Sequence, residues 1–276
     1  MMRLLAAIVF LTLSTAALAQ SAVAISSPAK LFEARPGEVL NFTLQVFNPS
    51  PDPVEVRVSL GDWTYQPDGQ PLFLEPGSLP QSAAPWITFD PPSFRLEGKG
   101  RAEVRYTIRV PENAAPGTHW AALFLLGENP NLQPGEKLAA FRIRVAHTIY
   151  VNLPELVREG RILGLSATPP SDPEKPVVIA VQYANTGNAV QAVTGRIEVR
   201  NDRGEVVGRV EIERTVVLPG SQRLLLARFY GPVPPGDYAV LAVLNYGDPE
   251  VDVAGQTVFR LESPLKAPRS GSGEGR

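Results

Sequence analysis

Val39-Leu40-Asn41-Phe42-Thr43-Leu44-Gln45-Val46-Phe47 places Leu40, Phe42, Leu44 and Val46 on one side and mostly polar residues on the other. A period of two over nine residues is the mark of a strand with one face buried. The pattern returns in Val54-Glu55-Val56-Arg57-Val58, in Val104 to Val110, in Ile197 to Arg200 and in Val207 to Ile212. Clusters of Pro, Gly, Asn and Asp separate these runs, as strand-to-strand turns require. Past the first residues, no stretch holds apolar residues at helical spacing for three turns without a Pro or Gly. Leu156 to Leu163 has the makings of one helical turn but reads better as a connection and the start of a strand. The expected class is all-β.

The amino terminus carries an address. Arg3 precedes an apolar run, Leu4 to Leu13, broken only by Thr12, and Ala17-Leu18-Ala19 has small residues at the cleavage positions. That is the layout of a secretory signal peptide over residues 1–19, cut near Ala19-Gln20, for a periplasmic or secreted product. The rest of the 276-residue chain has room for two sandwiches of about 100 residues each. Two tandem immunoglobulin-like β-sandwich domains are therefore expected, over residues 20–154 and 155–262. Residues 263–276 are rich in Ser, Gly, Pro and charge, and read as a disordered tail. No later run reaches about 18 apolar residues, so no transmembrane segment is expected in the mature chain.

Composition excludes several chemistries. With no cysteine, each domain must hold by burial alone, without disulfides or thiolate sites. The net charge of −2 offers no basic surface for nucleic acid. The only histidines, His119 and His147, both lie inside alternating runs, where a structural role is the common one. Asp248, Glu250 and Asp252 lack the further donors and glycine of a calcium loop and read as a solvated turn. Asn41-Phe42-Thr43 matches a glycosylation sequon in mid-strand, where the match is accidental. No catalytic residue, metal ligand set or cofactor site is identified, and a non-enzymatic protein is expected.

The two halves follow one plan. A strand ends at Phe47-Asn48 before a turn, and another ends at Asn185 before Thr186-Gly187-Asn188. Pro116-Gly117 and Pro235-Gly236 each launch a strand with an aromatic side chain near its start.

One segment is more specific than these. Trp86-Ile87-Thr88-Phe89-Asp90-Pro91-Pro92-Ser93-Phe94-Arg95-Leu96 resembles the aromatic-Ile-x-x-x-Pro-Pro-x-Phe-Arg-Leu stretch of the PapD-like periplasmic chaperones that assemble bacterial pili. Asn48 with Pro53-Val54, Arg105, and Trp120 to Leu126 also fit that family's order, and the likeness covers roughly residues 22–154. The resemblance implies a protein that lends a strand to a secreted or pilin-like subunit, completing that subunit's sandwich. The corresponding strand runs from Phe141 to Leu153, with Phe141, Ile143 and Val145 as the candidate donated face. Alternation alone serves a core-lining face equally well. The family also grips a subunit's terminal carboxylate with two basic residues. Lys30 occupies the first place, and Tyr150, uncharged, stands at the second, five residues past Val145.

The second half departs from the family and looks like a generic bacterial immunoglobulin- or fibronectin-type module. Arg35-Pro36-Gly37-Glu38 and Tyr106 to Pro111 are also similar to peptidoglycan-binding sandwiches of Gram-positive cell walls. The alternative expectation is thus a structural or adhesive cell-envelope protein that binds another protein or peptidoglycan.

Overall fold

The computed structural model describes residues 23–66, 69–128 and 143–267. The expected signal peptide, Phe141 and the end of the expected tail lie outside the described residues. What is described is all-β, in two consecutive sandwiches.

The first sandwich holds β1 (Ala24–Ile25), β2 (Ala29–Glu33), β3 (Val39–Phe47), β4 (Val54–Tyr65), β5 (Pro71–Leu74), β6 (Ile87–Asp90), β7 (Ser93–Leu96), β8 (Arg101–Arg109), β9 (Gly117–Glu128) and β10 (Ile143–Leu153). One sheet has the order β1-β3-β8-β6; the other runs β2-β10-β9-β4-β5, with β7 also on β4. Between them lies a core of Leu44, Val46, Val56, Val104, Ile108, Leu123, Leu125, Ile149 and Val151. These are the alternating residues of the quoted runs.

The Trp86–Leu96 segment changes sheets. β6 pairs with β8, whereas β7 pairs with β4 across the sandwich, so Pro91-Pro92 is the crossing. Proline has no N–H to lose where the chain leaves one ladder and joins the next. Pro92 still contributes its carbonyl, which accepts from Val58 N at 2.9 Å. The amino-terminal strand makes the same move, β1 on β3 and β2 on β10, through Ser26–Pro28.

The second sandwich holds β11 (Gly160–Thr168), β12 (Val177–Asn185), β13 (Gln191–Arg200), β14 (Val206–Val217), β15 (Gln222–Phe229), β16 (Gly236–Asn245) and β17 (Asp252–Leu261). Its sheets are β11-β12-β15 and β14-β13-β16-β17. Leu265, inside the stretch expected to be a disordered tail, is 3% exposed and bridges Val233, and Lys266 N donates to Pro173 O. The packed chain therefore continues past residue 262. One leucine in a polar, Pro-rich segment was too little apolar signal to reveal it.

The repeated sequence features perform repeated jobs. The Asn48 side-chain amide donates to Asp52, Leu96 and Glu97 carbonyls, and the Asn185 amide donates to Ala189 and Val217 carbonyls. Each buried asparagine thus supplies donors to the carbonyls of its turn and the neighbouring strand ends. After the two Pro-Gly turns, His119 Nε2 donates back to Ala115 O at 2.9 Å and Tyr238 Oη to Pro234 O at 2.7 Å.

The sandwiches meet through an aromatic cluster on the outer face of the β10-β9-β4 sheet. Trp63, Trp120 and Tyr150 pack there with Leu218 of the second sandwich. Arg223 lies 3.7 Å from the Tyr65 ring centroid, and Thr118 Oγ1 accepts from Val190 N at 2.9 Å. Gly117 sits at the same junction with φ of 111°, and a β-carbon there would stand 2.8 Å from Asn188 O. Only glycine meets both demands.

Candidate functional site: a half-open strand

β10 pairs with β9 along its whole length, from Ile143 opposite Gly127 to Leu153 opposite Gly117. Its other side is covered over only part of that length. β2 runs parallel to it from Thr148 to Asn152, and Thr148 N donates to Pro28 O at 2.9 Å. Among the described residues nothing pairs with the Ile143–His147 flank. In an antiparallel ladder, alternate residues aim both backbone groups at the same neighbour. Thr148 N and Asn152 O point toward β2, so the N–H and C=O of Arg144 and Ala146 point to the same side, where no strand lies among the described residues. An unpaired strand edge of this kind is a template for another chain.

The side chains of β10 divide by parity. His147, Ile149, Val151 and Leu153 are buried in the sandwich core, and half-buried Val145 packs against the same core. Within the expected donated face, then, Val145 looks inward at the sandwich's flank rather than freely outward. Ile143 lies on the open flank of the strand. On the outer face, Arg144 is exposed with its guanidinium 5.2 Å from the Phe124 ring centroid.

His147 stands where the covered half gives way to the open half. Its Nδ1–H donates to Ser27 O at 2.7 Å, and its Nε2 accepts from the Tyr106 hydroxyl at 2.9 Å. This pairing needs the neutral ring. Burial pushes the His147 pKa down, partly opposed by the bond to Ser27, and burial pushes the Tyr106 hydroxyl up. The ring also lies parallel to Phe42, 5.9 Å away. His147 therefore pins the Ser26–Pro28 crossing, and with it the point where β2 begins to cover β10.

Lys30 and Tyr150, expected together as a carboxylate anchor, are not brought together. Lys30 is opposite Ile149 and faces the sandwich interior, its ammonium 5.3 Å from the Phe42 ring centroid and 5.6 Å from that of Phe32. Tyr150 points through the other face, 6.2 Å from Trp63, with its hydroxyl pKa pushed up to about 12 by burial. Its role is in the junction between the sandwiches. A five-residue step from Val145 is odd, and an odd step changes face. Sequence reasoning missed Tyr106 and Ser27 as partners of His147. The available signal was that His147 falls in the apolar row of Ile149 and Val151, where an imidazole must find partners.

No family model matches this sequence, and no curated protein matches it. Many solved structures that align with it are chaperones of pilus assembly. A crystal structure of the YadV chaperone aligns with a TM-score of 0.43 and 11% identity, covering 87% of this chain and 99% of that one. The Pseudomonas aeruginosa CupB2 chaperone aligns with 0.43 and 17%, covering 88% and 100%. A Salmonella enterica SafA pilin in complex with the SafB chaperone aligns with 0.42 and 15%, covering 88% and 97%.

Proposed function

We propose that this protein is an exported chaperone-like factor that holds a pilin-like or surface-fibre subunit by strand pairing at the open half of β10. The observation that carries the reading is that, among the described residues, nothing pairs with the outward backbone groups of Arg144 and Ala146, on a strand whose other half is covered. A subunit with an incomplete sheet gains ladder hydrogen bonds there, beside half-buried Val145 at the flank. Shielding such a subunit from its own kind is a chaperone's task. Lys30 is in no ion pair among the described residues, and supplies a positive charge near the point where the open edge ends. It acts there without Tyr150. The likeness of the Trp86–Leu96 segment to the pilus chaperones supports the same reading.

The test is co-expression with a candidate subunit and purification of a one-to-one complex. Ile143→Ser with Val145→Asp is expected to abolish the complex while leaving the folded protein recoverable. A complex that survives this double substitution would refute pairing at β10. Co-sedimentation with purified cell-wall sacculi, with no subunit capture, would favour the envelope-binding alternative.

A further inference from the structure

The second sandwich has an open edge of its own, of different character. β15 pairs with β12 in unbroken register, Val177 opposite Phe229 to Ala184 opposite Gln222, and no strand lies on its other side among the described residues. Two of the other outer strands of this sandwich are guarded by charge or bulge, and the third, β17, lies against β11. β14 carries Arg209, Glu211, Glu213 and Arg214 and is bulged against β13. β11 is bulged between Ile162 and Gly164, and Ile162 packs against Gly255 of β17. Charges and bulges are how edge strands avoid unwanted pairing. β15 has neither in its middle: Leu224-Leu225-Leu226-Ala227 is uncharged and regular, and Leu224 and Leu226 are each 52% exposed on the outer face.

We propose that β15 pairs with β15 of a second copy of this chain, antiparallel about a two-fold axis at Leu225. In that register Leu224 faces the second copy's Leu226, twice over. Gln222 then faces Arg228, and Arg223 faces Ala227, so no two like charges are opposed. Facing pairs of this kind are the stabilising unit of a sheet. A one-residue slip would set outward leucines against inward ones and is excluded by the pleat. On β12, Ala180 neighbours Leu226 and Gln182 neighbours Leu224, so each facing leucine pair is flanked by an alanine on one side and a glutamine on the other. The dimer is isologous and closes on itself, leaving β10 of each copy free.

Sedimentation of the purified chain over a concentration series tests this, with circular dichroism to show that each variant is folded. Wild type is expected to reach twice the monomer mass. Leu224→Lys alone and Leu226→Glu alone each oppose a charge to a leucine and should sediment as monomers. An equal mixture of the two variants sets lysine against glutamate at one pair and leucine against leucine at the other, and should recover the dimer. A monomeric wild type, a single variant that stays dimeric, or a mixture that stays monomeric would each overturn the proposal. Subunit capture at β10 is read separately, so either proposal can fail without the other.

Discussion

The two halves of β10 carry the same alternating pattern and meet different fates. From Thr148 to Asn152 the strand is flanked by β9 and β2, with Ile149 and Val151 fully buried. From Ile143 to His147 it has β9 alone among the described residues, and Val145 is only half buried. A single strand thus anchors the sandwich with one half and leaves backbone groups unspent in the other. The difference comes from where a neighbouring strand stops, and the Ser27–His147 bond lies at that point.

Three substitutions test the two halves, and two further contrasts test the sandwiches and their junction, starting from the largest expected effect. Ile149→Ala should cost about 2–5 kcal/mol in urea unfolding, the usual range for truncating a fully buried aliphatic. Val145→Ala should cost about 1 kcal/mol, near the centre of ordinary mutational effects. Equal costs would mean that the two halves are equally embedded. Tyr106→Phe removes the hydroxyl that His147 Nε2 accepts from, and the stranded buried acceptor should cost about 1–3 kcal/mol. A loss well below that range would show that the Ser27–His147 clamp does not depend on Tyr106.

The next contrast is between the sandwiches. His119 and His147 both lie in the first, and burial depresses both pKa values below the ordinary 6.5. The unfolded chain then binds protons more readily than the folded one between the depressed values and 6.5. Stability of the first sandwich is therefore full above pH 6.5 and falls as pH drops through the depressed values. The second sandwich has no histidine. Glu198 there is held below the ordinary 4.5, chiefly by a hydrogen bond from Arg200, so the stability it adds is present above 4.5 and lost further down. Trp63, Trp86 and Trp120 are the only tryptophans, so fluorescence reports the first sandwich while circular dichroism reports both. Between pH 7 and 5 the fluorescence midpoint in urea should fall, and the later part of the dichroism transition should hold. Identical shifts by both probes would contradict the assignment to the histidines.

The last contrast is at the junction. Arg223→Ala removes the cation–π contact with Tyr65, worth about 0.5–2 kcal/mol. The fluorescence and dichroism transitions should then move apart. Unchanged coincidence would show that the Trp63, Trp120, Tyr150 and Leu218 cluster couples the sandwiches unaided.

Much of the fold was legible in the residues. Alternation located the strands, and Asn48, Asn185 and the Pro-Gly pairs marked matching turns. These signals are local, and each expresses a backbone rule that holds wherever the residues fall. The site was less legible because its decisive feature is long-range. Nothing within Phe141 to Leu153 tells where β2, more than a hundred residues earlier, will begin to pair. The Lys30–Tyr150 anchor failed for a different reason, since counting residues without parity put Tyr150 on the wrong face. Leu265 escaped because one apolar residue among Pro and Ser carries no period.

Amide hydrogen exchange at Arg144 and Ala146, with and without the bound subunit, addresses the open edge itself. In the free protein both amides should exchange fast while Thr148, bonded to Pro28, exchanges slowly; in the complex all three should be slow. Slow exchange at Arg144 and Ala146 in the free protein, or fast exchange there in a stable complex, would contradict strand pairing at β10.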